Sequence, residues 1–248
     1  MLPLRTILAA SDLSALARHA VARAALIAAE TGARLSLQHV VNVGAFDALR
    51  HLLDSDAAGL QETLLSEVRG ETQVLAAEME RRYGVAPDVH LMVGKVQAEI
   101  SNHADAIDAD VLVLGARGAG FLRELLLGST TERVLRRTRR SLLVVKQMAH
   151  ETYLRVLLPV DFSPRSVDAL HRARTVAPQA ELVLLHAFEV PFEGKLRYAG
   201  VDEGALSSLR IQAKREATAK LNELVVAAGI DEARVRRLVL HGEASALI

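Results

Sequence analysis

The chain has 248 residues, more than one ordinary domain needs, and half of it is hydrophobic. Lysine plus arginine and aspartate plus glutamate both number 30, so the formal net charge is zero and the balance suggests neither nucleic acid nor an acidic membrane surface as the main partner. The absence of cysteine excludes a disulfide scaffold, a Cys-ligated metal and a thiol nucleophile, and aromatics at 3% leave Ala, Leu and Val to build the core. Met1–Thr6 lacks the basic and apolar regions of a secretory signal, and Arg23 interrupts the best apolar run, Ala20 to Ala29. The expectation is a soluble, cytoplasmic protein without a membrane partner.

In chain order, Leu4–Ala10 is an apolar run ahead of polar Ser11-Asp12, which predicts a buried strand. Leu13, Leu16, Ala20, Ala24 and Ile27 then recur at helical spacing, with Gly32 closing the helix. Leu35–Val43 predicts a second strand. A long amphipathic helix from about Asp56 to Tyr83 ends at Gly84. A third strand at Val89–Val93, a helix from Val96 to Ile107 and a short apolar strand at Val111–Leu114 follow. Ser129–Thr138 predicts a helix and Leu142–Val145 the last strand. Such alternation implies βαβ units and a parallel sheet covered on both faces. Ligands of these sheets sit beyond the carboxyl ends of the strands, where strand order reverses.

The chain also contains itself. Ile7-Leu8-Ala9-Ala10-Ser11-Asp12-Leu13-Ser14 aligns with Val156-Leu157-Leu158-Pro159-Val160-Asp161-Phe162-Ser163. Leu35–Val40 aligns with Leu182–Ala187, and Gly94–Ile100 with Gly242–Ile248, all at nearly one offset. The expected domains are residues 1–148, complete, and 153–248, which stops at the counterpart of Ile100. The expectation is that the natural chain continues beyond Ile248 or that its product is truncated. The connector Met148–Tyr153 is short enough that the two domains are expected to pack.

After Leu114 come Gly115-Ala116-Arg117-Gly118 and then Gly128-Ser129, a G-x2-G-x9-G-S pattern. Gly115 and Gly118 admit backbone angles closed to other residues and let a ligand approach the main chain. Gly128-Ser129 opens a helix whose N–H groups and dipole favour phosphate, with the hydroxyls of Ser129 and Thr130 as further donors. No Gly-Lys-Ser/Thr follows, so this is not a Walker A loop, and its place after the fourth strand separates it from the dinucleotide fingerprint. Ser129-Thr130-Thr131-Glu132 also reads as a capping box that merely starts a helix, and the two readings coexist.

With that spacing the chain resembles the ATP-binding universal stress proteins. The resemblance covers residues 4–147 and, as far as it goes, 155–248. It includes the first strand with its Asp, the second strand ending in His39-Val40, and Leu142-Leu143-Val144-Val145-Lys146. It implies an open parallel sheet of order 3-2-1-4-5 with helices on both faces, Rossmann-like and duplicated in tandem. It further implies an adenine nucleotide as ligand: ATP, with or without Mg2+. By position, Asp12 lies near the nucleoside beside Ala10, and Val40 offers its main chain to adenine. Gly115 and Gly118 flank ribose and phosphates, and Gly128, Ser129 and Thr130 hold the phosphates. Family members often carry proline where this copy has Ala10; the second copy keeps Pro159. The resemblance also implies pairing through the last strand, within one chain or in a homodimer.

Several residues admit plainer roles. Asp12 or Ser14 caps the first helix. His39 and His186 are expected as core histidines bonded to backbone, and the remaining histidines lack metal-ligand spacing. Arg133, Arg136, Arg137, Arg139 and Arg140 read as a solvated face. Arg117 and Arg123 either reach phosphate or stand exposed. Residues Phe188–Gly204 are expected to form a flap. A phospho-receiver is rejected because the chain has one acidic residue after its first strand and Gly94 after the third. Three tyrosines, five phenylalanines and no tryptophan argue against a flavin carrier. With only Glu124 and Glu132 beside Asp12, there is no organised base and metal set. The function expected is a stress-response regulator that binds ATP, with at most slow hydrolysis or phosphate transfer.

Overall fold

The computed structural model describes residues 3–44, 57–116 and 128–248, the side chains of residues 57, 58 and 60 excepted. These residues form two compact units, Pro3–Thr152 and Tyr153–Ile248.

The first unit runs β1 (Thr6–Ala10), α1 (Ala15–Thr31), β2 (Arg34–Asn42), α2 (Ala57–Tyr83), β3 (Asp88–Gly94), α3 (Val96–Ala106), β4 (Val111–Gly115), α4 (Ser129–Arg137) and β5 (Ser141–Val145). Its five strands are parallel, in the order β3-β2-β1-β4-β5. This is the 3-2-1-4-5 sheet that the family resemblance implies. The β1 strand lies between β2 and β4, so all five of its residues are buried, and its sequence is an apolar run rather than an alternation. Asp110 fastens its start: the carboxylate accepts from the backbone N–H groups of Arg5 at 2.8 Å and Thr6 at 2.9 Å.

Alternation along the strands divides the core into two layers. Leu8, Ala10, Leu112 and Leu114 pack with Ile100 and Ala104 of α3 and Val134 of α4. Against β1 and β4 lies α1, whose buried face is built largely of alanine, at positions 17, 20, 22, 24, 25 and 28. Small side chains let this helix lie close to the sheet without aromatic filling. Ser14 caps its start, accepting from the N–H of Ala17 at 3.3 Å, and Gly32 ends it at φ +73°, where an L side chain would be strained.

The second unit runs β6 (Arg155–Pro159), α5 (Arg165–Val176), β7 (Glu181–Phe188), α6 (Glu193–Tyr198), α7 (Glu203–Ala227), β8 (Val235–His241) and α8 (Ala244–Leu247). Its parallel strands lie in the order β6-β7-β8. Leu170 of α5 and Leu221, Leu224 and Val225 of α7 close the core over Leu182, Leu184, Val235 and Val239.

The repeat extends to hydrogen-bond register. Ile7 pairs with Leu35 in the first unit, and their counterparts Val156 and Leu182 pair in the second. The order β6-β7-β8 repeats β1-β2-β3. Among the described residues no strand flanks β6 where β4 flanks β1. Leu157 is accordingly 46% exposed, whereas its counterpart Leu8 is fully buried.

Candidate functional site

In the order β3-β2-β1-β4-β5 the chain runs outward from β1 through β2 to β3, then returns to β4 on the other side of β1 and goes on to β5, so the strand order reverses between β1 and β4. Ala10, the last residue of β1, pairs with Gln38 of β2 and Leu114 of β4. The turn after β1, the end of β2 and the exit of β4 therefore meet at one edge of the sheet.

The turn after β1 is held by a compact set of bonds. The N–H of Ser11 donates to Gln38 O at 2.9 Å, continuing the ladder one residue past the strand. His39 Nδ1 lies 2.8 Å from Ser11 O. A carbonyl only accepts, so Nδ1 carries the hydrogen. Leu13 adopts a left-handed φ of +64°, and its N–H donates to Ser11 Oγ at 3.0 Å. Asp12 is exposed, and its Oδ1 accepts from Ser14 N at 3.1 Å and from Ser14 Oγ at 2.6 Å. Ser14 is the cap of α1, and Asp12 braces that cap. Val40, half-buried on β2, pairs with Met92 of β3.

The second copy repeats this turn. His186 Nδ1 donates to Val160 O at 2.8 Å, Phe162 takes φ +61°, and Ser163 N donates to Asp161 Oδ1 at 2.9 Å. Hydrogen bonds from Ser163, joined by Ser166, hold the Asp161 carboxyl down to about 2.

On the β4 side, Gly115 ends the strand and Ala116 N donates to Val145 O at 2.8 Å. Arg117 and Gly118 lie outside the described residues, as do Arg123 and Glu124. Gly128 is buried; its N–H donates to Ala116 O at 2.7 Å, which brings the two ends of the loop together. Gly128, not Ser129, is the cap of α4, at φ −61° and ψ 148°, and it has no side chain to satisfy the helix amides. The capping-box reading is thereby corrected by one residue: Ser129 is the first helical residue, and Glu132 pairs with Arg136 at 2.7 Å instead of reaching back. In helix geometry Glu132 N is the first amide to bond within α4, to Gly128 O at 2.9 Å. The amides of Ser129, Thr130 and Thr131 precede that ladder, and the exposed Ser129 and Thr130 stand beside them.

Thr131 was missed as a site-shaping residue. It is buried, and its Oγ1 donates to Gly115 O at 2.8 Å, so it ties the start of α4 to the end of β4. Nothing local in the run Ser129-Thr130-Thr131 singles out its third hydroxyl, because its partner Gly115 is brought to it only by the fold. Of the arginine cluster, Arg136 pairs with Glu132 and Arg140 with Asp105 and Asp108, while Arg133, Arg137 and Arg139 are exposed.

Two histidines couple this unit to pH. Burial pushes His39 below its ordinary value of 6.5, partly offset by the bond to Ser11 and by Asp12 and Glu71. Burial, then the neighbouring His90, also lowers His103, whose Nε2 lies 3.3 Å from Ser36 Oγ. Groups kept neutral in the fold bind more protons when unfolded, so their contribution to stability is complete above 6.5 and is lost as pH falls below it. The thermal midpoint is expected to rise between about pH 5 and pH 7, and His103→Gln is expected to flatten part of that rise. A midpoint that is constant or falling across this window would refute the assignment. Asp161 and Glu193, both lowered, act below the window.

An open parallel α/β sheet with a helix start at its switch point is the architecture of a broad class of nucleotide- and phosphate-binding folds. Within it, the chain belongs to the universal stress protein family, whose model matches residues 3–146 and again 152–248. Universal stress protein MJ0577 of Methanocaldococcus jannaschii is 31% identical over 88 residues, 36% of this chain and 54% of the relative, so the match spans about half that relative's length. MJ0531 of the same organism is 32% identical over 138 residues, 54% of this chain and 75% of the relative. The solved MJ0577 structure, described as a structure-based assignment of biochemical function, matches at a TM-score of 0.50 and 25% identity, covering 60% of this chain and 100% of its own. A universal stress protein from Archaeoglobus fulgidus DSM 4304 shares the fold over 98% of this chain and 80% of its own, at a TM-score of 0.61 and 21% identity. Among the described residues no helix is long and apolar enough to cross a membrane.

Proposed function

We propose that the first copy binds ATP at this switch point and that the protein acts in the stress response as a nucleotide-dependent regulator or protectant in the cytoplasm. The observation that carries the reading is the start of α4: a glycine cap without a side-chain acceptor, drawn to the exit of β4 by the bonds from Gly128 to Ala116 and from Thr131 to Gly115. Phosphate oxygens fit there, against amides outside the helix ladder and the hydroxyls of Ser129 and Thr130. Gly115, Arg117 and Gly118 of the G-x2-G-x9-G-S pattern belong to the same proposed phosphate-binding set. Ala10, Asp12 and Val40 serve the nucleoside, from strand ends that adjoin the same switch point. Pairing within the chain or between two chains through β5 belongs to the same reading.

Among the described residues no three carboxylate or imidazole groups gather to hold a metal. Mg2+ accompanying the nucleotide would take phosphate oxygens as its main ligands. The bonds of Asp12 to Ser14 give it a bracing role, and the reading is one of binding with slow turnover. Calorimetric titration with ATP is expected to show one site per chain. Phosphate release is expected well below the roughly ten per second of a median enzyme. No heat of binding would sink the nucleotide reading; release at ordinary enzyme rates, abolished by Asp12→Ala, would replace it with an ATPase.

A further inference from the structure

Between β7 and α7 the second unit has almost no apolar anchorage. Val190 and Leu206 are buried, and none of residues 191–205 between them is; only Glu193, Leu196 and Val201 are half-buried. This stretch carries α6, a helix that buries no side chain of its own. Phe192 and Gly200 flank it at left-handed φ of +61° and +84°, so the chain turns sharply where it enters the helix and where it leaves. Tyr198 is 96% exposed and Phe192 71%, so neither ring ties the stretch to the core.

What ties it down is one carboxylate. Glu193, the first residue of α6, accepts at Oε1 from Arg210 Nε of α7 at 3.1 Å, and from Arg210 Nη2 as well. Its other oxygen, Oε2, accepts at 2.8 Å from Nε2 of His241, the last residue of β8. Arg197, one turn along α6, stands 3.6 Å from Oε1. Arg210 and Arg197 also reach Glu203 at the start of α7, at 2.9 Å and 3.6 Å. A single side chain of α6 is thus bound to two neighbouring elements, with both oxygens engaged. Charge-assisted bonds are the strong ones, and where apolar burial is missing they decide whether the helix stays in place.

The same stretch walls a cleft of about 680 Å³ beyond the carboxyl ends of β7 and β8, the edge at which parallel sheets take ligands. Residues 191–195 and Arg197 line it together with Glu189, Val190, His241 and Gly242, so any movement of α6 remodels it. We propose that residues 191–205 form a lid on this cleft, held closed by Glu193 and opening as one unit between Val190 and Leu206 when its carboxylate leaves Arg210 and His241. With the lid closed, the Nε2 hydrogen of His241 is spent on Glu193. With the lid open, that donor is released at the wall of the cleft.

The test is hydrogen exchange of the full chain, resolved to single amides by NMR. Leu196, Ala199, Gly200 and Val201 report on the lid, because their N–H groups bond to carbonyls of residues 192–197. The amides of residues 182–185, in the buried part of β7, report on the unit as a whole. Glu193→Ala and Arg210→Met break the latch from its two sides. Both place a good helix former in a helix, so propensity is not what changes. Each variant is expected to speed the four lid amides about tenfold and to leave the β7 amides at the parent's rates. The proposal is overturned if the lid amides keep the parent's rates in either variant, if lid and β7 amides speed up together, or if the parent's lid amides already exchange like an unfolded chain. These amides lie in the second unit, so failure here and failure of ATP binding in the first copy remain separate results.

Discussion

Gly128→Asp is expected to weaken ATP binding by ten- to a hundredfold while leaving the fold intact. At φ −61° and ψ 148° the position has the extended backbone of an ordinary helix cap, which aspartate favours. The new carboxylate would accept from the amides that the phosphates are proposed to use and would repel the phosphates as well. Replacing a glycine cap by aspartate shifts helix stability by only a few tenths of a kcal/mol, in the favourable direction. Gly128 is buried, so it is the thermal midpoint of the variant itself that separates lost binding from lost folding. Calorimetry with ATP and a thermal scan on the same sample decide it. Unchanged affinity with an unchanged midpoint would remove the phosphates from α4.

Leu8→Ala is expected to destabilise the first unit by about 2–5 kcal/mol, and the matching Leu157→Ala to cost the second unit about 1 kcal/mol or less. Leu8 is fully buried in the middle strand, among Ile100, Leu112, Leu114 and Val134. Truncation there leaves a cavity whose walls are two strands and two helices. Leu157 occupies the same place in the repeat but is 46% exposed, so much of its side chain is already in water. Urea unfolding of both variants, followed by hydrogen exchange to tell the units apart, checks the contrast. Equal losses would mean that β6 is covered as β1 is.

The elements most legible in the sequence are those whose environment is uniform. The β1 and β4 strands read as apolar runs because both are flanked on each side, and Gly32 and Gly84 read as helix ends because each is needed at positive φ. His39 and His186 were legible too, since a histidine inside an apolar strand requires a backbone partner, and each has one. The cap of α4 was displaced by one residue because Ser-Thr-Thr-Glu satisfies a local rule, whereas Gly128 wins through bonds to Ala116 and Glu132 that arise only when the loop closes. Asp110 and Thr131 were not legible. Their partners, at Arg5, Thr6 and Gly115, are brought to them by the fold and leave no local pattern.

The histidine clip on the turn after β1 has a consequence for how such proteins diverge. It joins residues 28 apart in the first copy and 26 apart in the second, and in both it draws only on the first two strands and the helix between them. The clasp from Thr131 to Gly115 joins residues 16 apart and draws on a strand and helix of its own. Each half of the candidate site thus carries a clasp of its own, while the two meet along β1 and β4, from Ile7–Val111 to Ala10–Leu114, over one shared core layer. The second copy shows that the first clasp does not need the second: its aspartate turn is intact around Asp161, although no described strand stands beside β6.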